Sequence, residues 1–333
     1  MQAMVLRKGG PPEVLQLETV DTPRPRAGQA LVRLKAAALN HRDVWQRLSY
    51  TGPAPMVLGS DGAGIVEAVG ADVDAAWIGQ SVVINPALHW GDQEDAPGPG
   101  FQILGNPTPG TYAEAIAVPA ENLAPKPEAL SWQQAAALPL AGLTAWRGLF
   151  TQGRLRPGET VLLPGIGSGV AVLALAFAQR AGARVIVTSS SADKLAEARA
   201  AGCDGAVNYK DPDWEAQVQA LAGPAGISLV LDHSGAQTLP AALRLVRPGG
   251  RVVFLGVTTG NTMTFHIREA FFRQVHLIGT TMGSPREFQQ MLRFVAQQRV
   301  ALAVRHTFPL AQAARAHQMM ESGAQYGKIV LEA

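Results

Sequence analysis

The segment Pro164-Gly165-Ile166-Gly167-Ser168-Gly169-Val170-Ala171 is the part of the chain whose residue types and spacing point most directly to chemistry. It joins a short apolar run, residues 160–163, to a helical run, residues 170–180. Glycines at a strand-to-helix turn let the backbone approach a pyrophosphate, and the helix start offers free N–H groups with a partial positive charge. Gly167, Ser168, Gly169 and Val170 are therefore expected to hold the phosphates of a dinucleotide. The plainer alternative is a tight turn that binds nothing. Val170 stands where a full G-x-G-x-x-G pattern has its third glycine, so Gly-Ser-Gly-Val-Ala, with Ala171 at the helix–sheet contact, describes the loop better.

The kind of dinucleotide depends on the residues just past the second strand. A site for NAD places an acid there, about 20 residues past the loop, to accept from the ribose 2′-OH. This chain has Thr188-Ser189-Ser190-Ser191, with no acid before Asp193, and then Lys194. Hydroxyls from Ser189 and Ser190 with the Lys194 ammonium suit a 2′-phosphate, so NADPH is the expected cofactor. Ser191 also reads as the cap of a helix beginning near Asp193, a role compatible with the first.

The elements that must position these residues show a change of pattern near residue 156. Beyond it, strands at 160–163, 184–188, 206–208, 227–232, 251–255 and 276–281 alternate with helices at 170–180, 193–201, 214–221 and 238–245. Such alternation implies βαβ units on a doubly wound parallel sheet. The first third is different: strands at 30–35, 64–69 and 81–84 are separated by Gly and Pro turns, a mainly β texture, and residues 86–109 read as a long surface loop. The tail from Pro285 holds two helices and a last strand, 328–331, that is expected to return to the first domain.

Bulk properties exclude several classes. The 333 residues suit two domains, and 28 basic against 26 acidic residues leave no charge excess for a nucleic acid or a membrane surface. The most apolar helical stretch, 170–178, is less than half of a roughly 20-residue membrane span. Cys203 is the single cysteine, so neither an intrachain disulfide nor a cysteine-based metal site can form. No secretory signal is legible at the N-terminus, and a cytoplasmic enzyme acting on a small molecule is the expectation.

Several motifs carry a family resemblance. Residues Gly9-Gly10-Pro11-Pro12-Glu13-Val14-Leu15, Ala37-Ala38-Leu39-Asn40-His41-Arg42-Asp43, Leu58-Gly59-Ser60-Asp61-Gly62-Ala63-Gly64, Gly110-Thr111-Tyr112-Ala113-Glu114 and Gly327-Lys328-Ile329-Val330, with the glycine loop, resemble the medium-chain dehydrogenase/reductase superfamily over the whole chain. The resemblance implies a GroES-like catalytic domain, residues 1–128 with 284–333, and a Rossmann domain, 129–283, with the active site in the cleft between them. In the zinc-holding branch a Cys, a His and a third ligand bind the metal; those positions fall at Asn40, Ser60 and at or beside Ala141, and only the adjoining acid survives, as Asp61. The lobe that holds a structural zinc corresponds to residues 91–101, without cysteine. Both metal sites are expected to be lost; a rebuilt site from His41, Asp43, Asp61 and His89 is the alternative.

The pattern without zinc is similar to the quinone oxidoreductase, zeta-crystallin-like branch, although residues 85–105 look closer to zinc-containing relatives. The resemblance then implies a hydride transfer from NADPH to a quinone or an α,β-unsaturated carbonyl. The Asn40 amide would meet the negative charge on oxygen, and Asp43 would fix its surroundings; loop capping and binding of nearby backbone amides are their alternatives. Trp45, Tyr50 and Asp61 would line the substrate pocket. Thr144, Leu255, Gly256, Thr280 and Met282 would flank the nicotinamide, Tyr209 the adenosine phosphate, and Lys328 would face the cofactor phosphates. It also implies a homodimer formed through an edge strand in 263–281. An alcohol or aldehyde dehydrogenase with a degenerate metal site, and an NADPH-binding sensor without turnover, are the competing readings.

Overall fold

Runs of Val, Ile and Leu such as Thr160–Leu163, Arg184–Ser189 and Ile227–Asp232 are buried almost throughout, as strands covered on both faces must be. With Gly205–Asn208, Val246–Phe254 and His276–Gly279 they form a six-stranded parallel sheet. Numbered along the chain its order is 3-2-1-4-5-6, the doubly wound order that binds dinucleotides outside the carboxyl ends of the strands. The computed structural model describes residues 1–333 and contains two compact units, Met1–Leu143 with Gly283–Ala333, and Thr144–Met282. The second unit is this Rossmann sheet with its helices Gly169–Arg180, Ala192–Ala200, Trp214–Ala222 and Leu239–Leu245.

The first unit is the mainly β, GroES-like body. Its seven-stranded sheet runs Leu123–Pro125, Ser81–Ile84, Asp61–Val69, Gln29–Ala38, Lys328–Glu332, Val304–Pro309, and Ala115–Pro119 also pairs with Gln29–Ala38. The registers matter for the site. Ala38 lies opposite Asp61 on one side and opposite Val330 on the other. The end of Gln29–Ala38 is thus flanked by the starts of two strands far away in sequence, one beginning with Asp61 and the other with Lys328.

Three local differences from the sequence reading have physical causes. Residues 41–49 form a helix, His41–Ser49, whose N-cap is Asn40. The loop at 86–109 contains a two-stranded hairpin, Ala87–Leu88 with Gln102–Ile103. The first unit reaches Leu143, beyond residue 128, because the helix Trp132–Ala137 packs against Gln29–Ala38, Asp61–Val69 and Lys328–Glu332. No helix is long and apolar enough to cross a membrane.

One packing feature of the first unit has a pH consequence. His317, on the helix Ala313–Glu321, is fully buried, its ring edge-on to Tyr112 at 5.9 Å. Neither ring nitrogen has a hydrogen-bond partner. Burial, with the Arg47 charge nearby, pushes its pKa down to about 3. Above the ordinary value near 6.5 the ring is neutral folded or unfolded; below it the unfolded chain takes up a proton that the folded chain refuses, and stability falls as pH falls. Between pH 7 and pH 5 this single group is expected to remove about 2 kcal/mol. His317→Leu, which leaves no orphaned nitrogen, should lose about that much less over the same interval, read from thermal denaturation at the two pH values. An unchanged pH dependence would refute the assignment.

Candidate functional site

Asp61 is fully buried at the start of its strand, and a carboxylate in that position requires a cation and donors. Lys328 provides the cation. Its Nζ donates to the Leu39 carbonyl oxygen (2.6 Å), to Asn40 Oδ1 (2.6 Å) and to Asp61 Oδ2 (2.7 Å). Asn40 Nδ2 donates to the same Asp61 oxygen at 3.0 Å, and the Leu140 backbone N–H donates to Asp61 Oδ1 at 2.7 Å. An ammonium only donates and a carboxylate only accepts, so the Asn40 amide has one permissible orientation. One of its two N–H groups is used on Asp61; the other has no partner within the chain, and Asn40 is 7% exposed.

Asp43 stabilises this arrangement from below. It is fully buried, and its Oδ2 accepts from the Asn40 backbone N–H and from the Tyr112 hydroxyl, both at 2.8 Å. Burial raises the Asp43 pKa despite the Arg42 charge, and burial with Asp43 beside it holds the Tyr112 hydroxyl well above the ordinary phenol range. The Asn40 side chain does not cap the helix; the cap is made by Asp43 reaching back, which frees the amide for Asp61 and Lys328.

The donor set does not fit zinc. Asn40 and Ser60 offer no thiolate and no imidazole, and no three His, Cys, Asp or Glu side chains come together. Nor are His41, Asp43, Asp61 and His89 brought together as a cluster, and both Asp61 oxygens and Asp43 Oδ2 accept hydrogen bonds from protein groups. Ser60 Oγ instead donates to the Leu104 carbonyl (2.6 Å) and accepts from Arg42 Nη1 (2.7 Å), which also donates to Leu104 O at 2.9 Å. The lobe at 91–101 is held by apolar packing. Trp90 is 2% exposed, sits edge-on to Phe101 at 5.3 Å, and donates from Nε1 to the Gln93 carbonyl.

In the second unit the glycine turn lies at the carboxyl end of the first sheet strand. Gly165 (φ 69°) and Gly167 (φ 121°) adopt backbone conformations that other residues rarely reach. Ser168 is the N-cap of Gly169–Arg180: its Oγ accepts from the Ala171 N–H at 3.1 Å and lies 3.0 Å from His233 Nε2. The first N–H groups of that helix, at Gly169 and Val170, precede any intrahelical partner. Lys194 arches back over the turn, so that a Cβ at Gly167 would come within 2.6 Å of its Cδ and 3.2 Å of its Nζ. Ser189 Oγ accepts from the Ser191 N–H, and the Tyr209 hydroxyl donates to Ser190 Oγ at 3.1 Å. Ser190, Tyr209, Lys194 and the glycine turn therefore share one end of the sheet.

The same end carries the groups expected beside the nicotinamide. Leu255 N–H donates to the Asp232 carbonyl, and any Cβ at Gly256 would collide with the His233 carbonyl oxygen. Thr280 N–H donates to Phe254 O, while its buried Oγ1 has no partner. Thr144 Oγ1 and Met282 Sδ are 3.9 Å apart. An orphaned hydroxyl and a free helix start are features that a bound dinucleotide would satisfy, so the residues fit one.

One expectation needs correction. Lys328 does not face cofactor phosphates: it is 5% exposed in the first unit, and its three protons have three acceptors there. Asp61, expected in the substrate pocket, is fully buried, and both of its oxygens accept hydrogen bonds. Tyr50, with Gln46, Met56 and Asn106, lines a cavity of about 530 Å³ to which Trp45, 43% exposed, does not contribute. Arg42, Tyr112 and His233 were missed. For the first two a signal existed, since Asn40 followed by Asp43 has the spacing of a helix start.

Known proteins agree with this architecture. Residues 26–128 match the alcohol dehydrogenase GroES-like domain, and residues 169–297 match the family described as zinc-binding dehydrogenase. The chain is 35% identical to a zinc-type alcohol dehydrogenase-like protein, YogA, of Leptosphaeria maculans, over 96% of this chain and 94% of that one. It is 29% identical to the quinone oxidoreductase of Rattus norvegicus, over 99% and 97%. A solved NAD-dependent alcohol dehydrogenase superposes with a TM-score of 0.93 at 41% identity, covering 100% of both chains.

The buried ion pair makes a direct prediction. Lys328→Met leaves Asp61 charged and uncompensated, and is expected to cost about 3–5 kcal/mol. The pair Lys328→Met with Asp61→Asn should recover most of that loss in thermal denaturation; equal instability of single and double variants would contradict the pairing.

Proposed function

The chain belongs to the medium-chain dehydrogenase/reductase superfamily, and on that premise we propose that it is an NADPH-dependent oxidoreductase that reduces a quinone or an α,β-unsaturated carbonyl without zinc. The observation that carries the reading is the Asn40–Asp61–Lys328 cluster, in which residues at and beside metal-ligand positions are committed to an ammonium. Gly167, Ser168, Gly169 and Val170 would hold the cofactor pyrophosphate, and Ser189, Ser190, Lys194 and Tyr209 its 2′-phosphate and adenosine side. Thr144, Leu255, Gly256, Thr280 and Met282 would flank the nicotinamide.

Bound there, NADPH supplies a hydride, and with one proton from water the acceptor gains two electrons and two hydrogens. The protein's part is to hold the acceptor and meet the negative charge that develops on its oxygen. The remaining Asn40 N–H is aimed by Asp61 and Lys328, and this fixed orientation needs no rearrangement during the reaction. Asp43 and Tyr112, both buried, keep the Asn40 backbone in place.

The likeness to an NAD-dependent alcohol dehydrogenase favours a second reading, in which NADH serves an alcohol or aldehyde. Initial rates with NADPH and NADH against quinones, enones and aldehydes separate the two. We expect NADPH consumption with quinones or enones, activity that persists after chelation, and zinc well below one equivalent per chain. Lys194→Ala should raise the KM for NADPH roughly 10- to 100-fold, the loss of a charge-assisted contact, and that for NADH far less. Preference for NADH would overturn the cofactor assignment.

The edge strand His276–Gly279 has one open side, and Ile267, Phe271 and Phe272 near it are 69, 60 and 67% exposed. We propose that a second copy covers them in a homodimer. Phe272→Asp is expected to shift sedimentation toward the monomer; a wild-type protein that sediments as a monomer would disprove it.

A further inference from the structure

Of the two cations nearest the lost metal-ligand positions, only one has donors to spare. The Lys328 ammonium is saturated by Leu39, Asn40 and Asp61. Arg42, at the start of the helix His41–Ser49, commits Nη1 to both Ser60 Oγ and Leu104 O, which uses its two protons. Nε and Nη2 make no hydrogen bond in the chain, and neither is enclosed, so that edge of the guanidinium opens to solvent.

The open edge is the informative part. Nε–H and one Nη2–H of a guanidinium are parallel and match the two oxygens of a carboxylate. This chain uses that edge repeatedly: Arg7 on Glu18, Arg33 on Glu67 and Arg244 on Glu215 each pair through Nε and Nη2. Arg42 has no such partner. Burial lowers its pKa, while Asp43 and Asp61 favour its charge from further away. A half-buried guanidinium fixed through Nη1, with its fork empty, is preorganised for an anion that the protein does not itself provide.

We infer that Arg42 is the specificity-determining residue of the site and that the preferred acceptor carries a carboxylate conjugated to its double bond, bound bidentately by Arg42 Nε and Nη2. This rests on the proposed reductase reading and narrows its substrate class. An ionised unsaturated acid is a poor hydride acceptor in water because it already bears negative charge. A guanidinium fork compensates that charge, and the free Asn40 N–H, from the residue that caps the same helix, is a further donor.

The test combines calorimetry, which needs no turnover, with initial rates. Binding of methacrylate and of its neutral methyl ester is measured on the NADP⁺ complex of wild type, Arg42→Gln and Arg42→Lys, with thermal denaturation to verify folding. Wild type should bind the acid at least about tenfold more tightly than the ester. Arg42→Gln should weaken the acid roughly 10- to 100-fold and the ester much less. Arg42→Lys, which keeps the charge without the fork, should fall between. Equal losses for acid and ester, or a loss of NADP⁺ affinity in place of acid affinity, would overturn the inference. If wild type reduces a neutral quinone with NADPH yet shows no preference for the acid, the Arg42 assignment fails and the reductase reading survives. Tight acid binding without NADPH consumption against any acceptor would do the reverse.

Discussion

A carboxylate with no access to water sets the terms for the first unit. Asp61 can remain charged only if the chain brings it a cation and enough donors, and the residues that do so come from three distant segments: Asn40, Leu140 and Lys328. Their convergence follows from strand register, with Ala38 between the starts of the Asp61 and Lys328 strands. Much of the local chemistry descends from that pairing. It orients the Asn40 amide and leaves the nearby Arg42 as the cation with an open edge.

The second unit solves a different problem. A parallel sheet buries its faces under helices and leaves its polar backbone groups free only at the ends. Here one such end gathers the Gly165–Gly167 turn, the Lys194 stem, the Ser190–Tyr209 pair and the unpartnered Thr280 hydroxyl. Burial lowers the pKa of the His233 imidazole, whose Nε2 lies 3.0 Å from Ser168 Oγ at the phosphate turn.

One matching family is described as zinc-binding dehydrogenase, whereas Asn40 and Ser60 here are engaged in hydrogen bonds with other protein groups. Around Asn40 and Ser60, positive charge is carried by Lys328 and Arg42. In the hairpin lobe Trp90 and Phe101 supply a small apolar core, and the Gly98 N–H bond to the Trp90 carbonyl closes the turn. Both arrangements rest on many weak interactions that depend on burial.

The sequence by itself determined whatever is local. Alternating apolar runs and helices specified the βαβ half because strand and helix periodicities are written within a dozen residues. The glycine turn, the hydroxyls and lysine at Ser189, Ser190 and Lys194, and the loss of metal-binding cysteines were legible for the same reason. Only the tertiary structure decided the partners of Lys328, which lies 267 residues from Asp61. From sequence it resembled a phosphate-facing residue; strand pairing instead buried it against an acid. The open edge of Arg42 likewise became visible only once Ser60 and Leu104 had taken Nη1. A side chain's chemistry is fixed by its type, but which of its donors remain free depends on contacts between segments that no local pattern encodes.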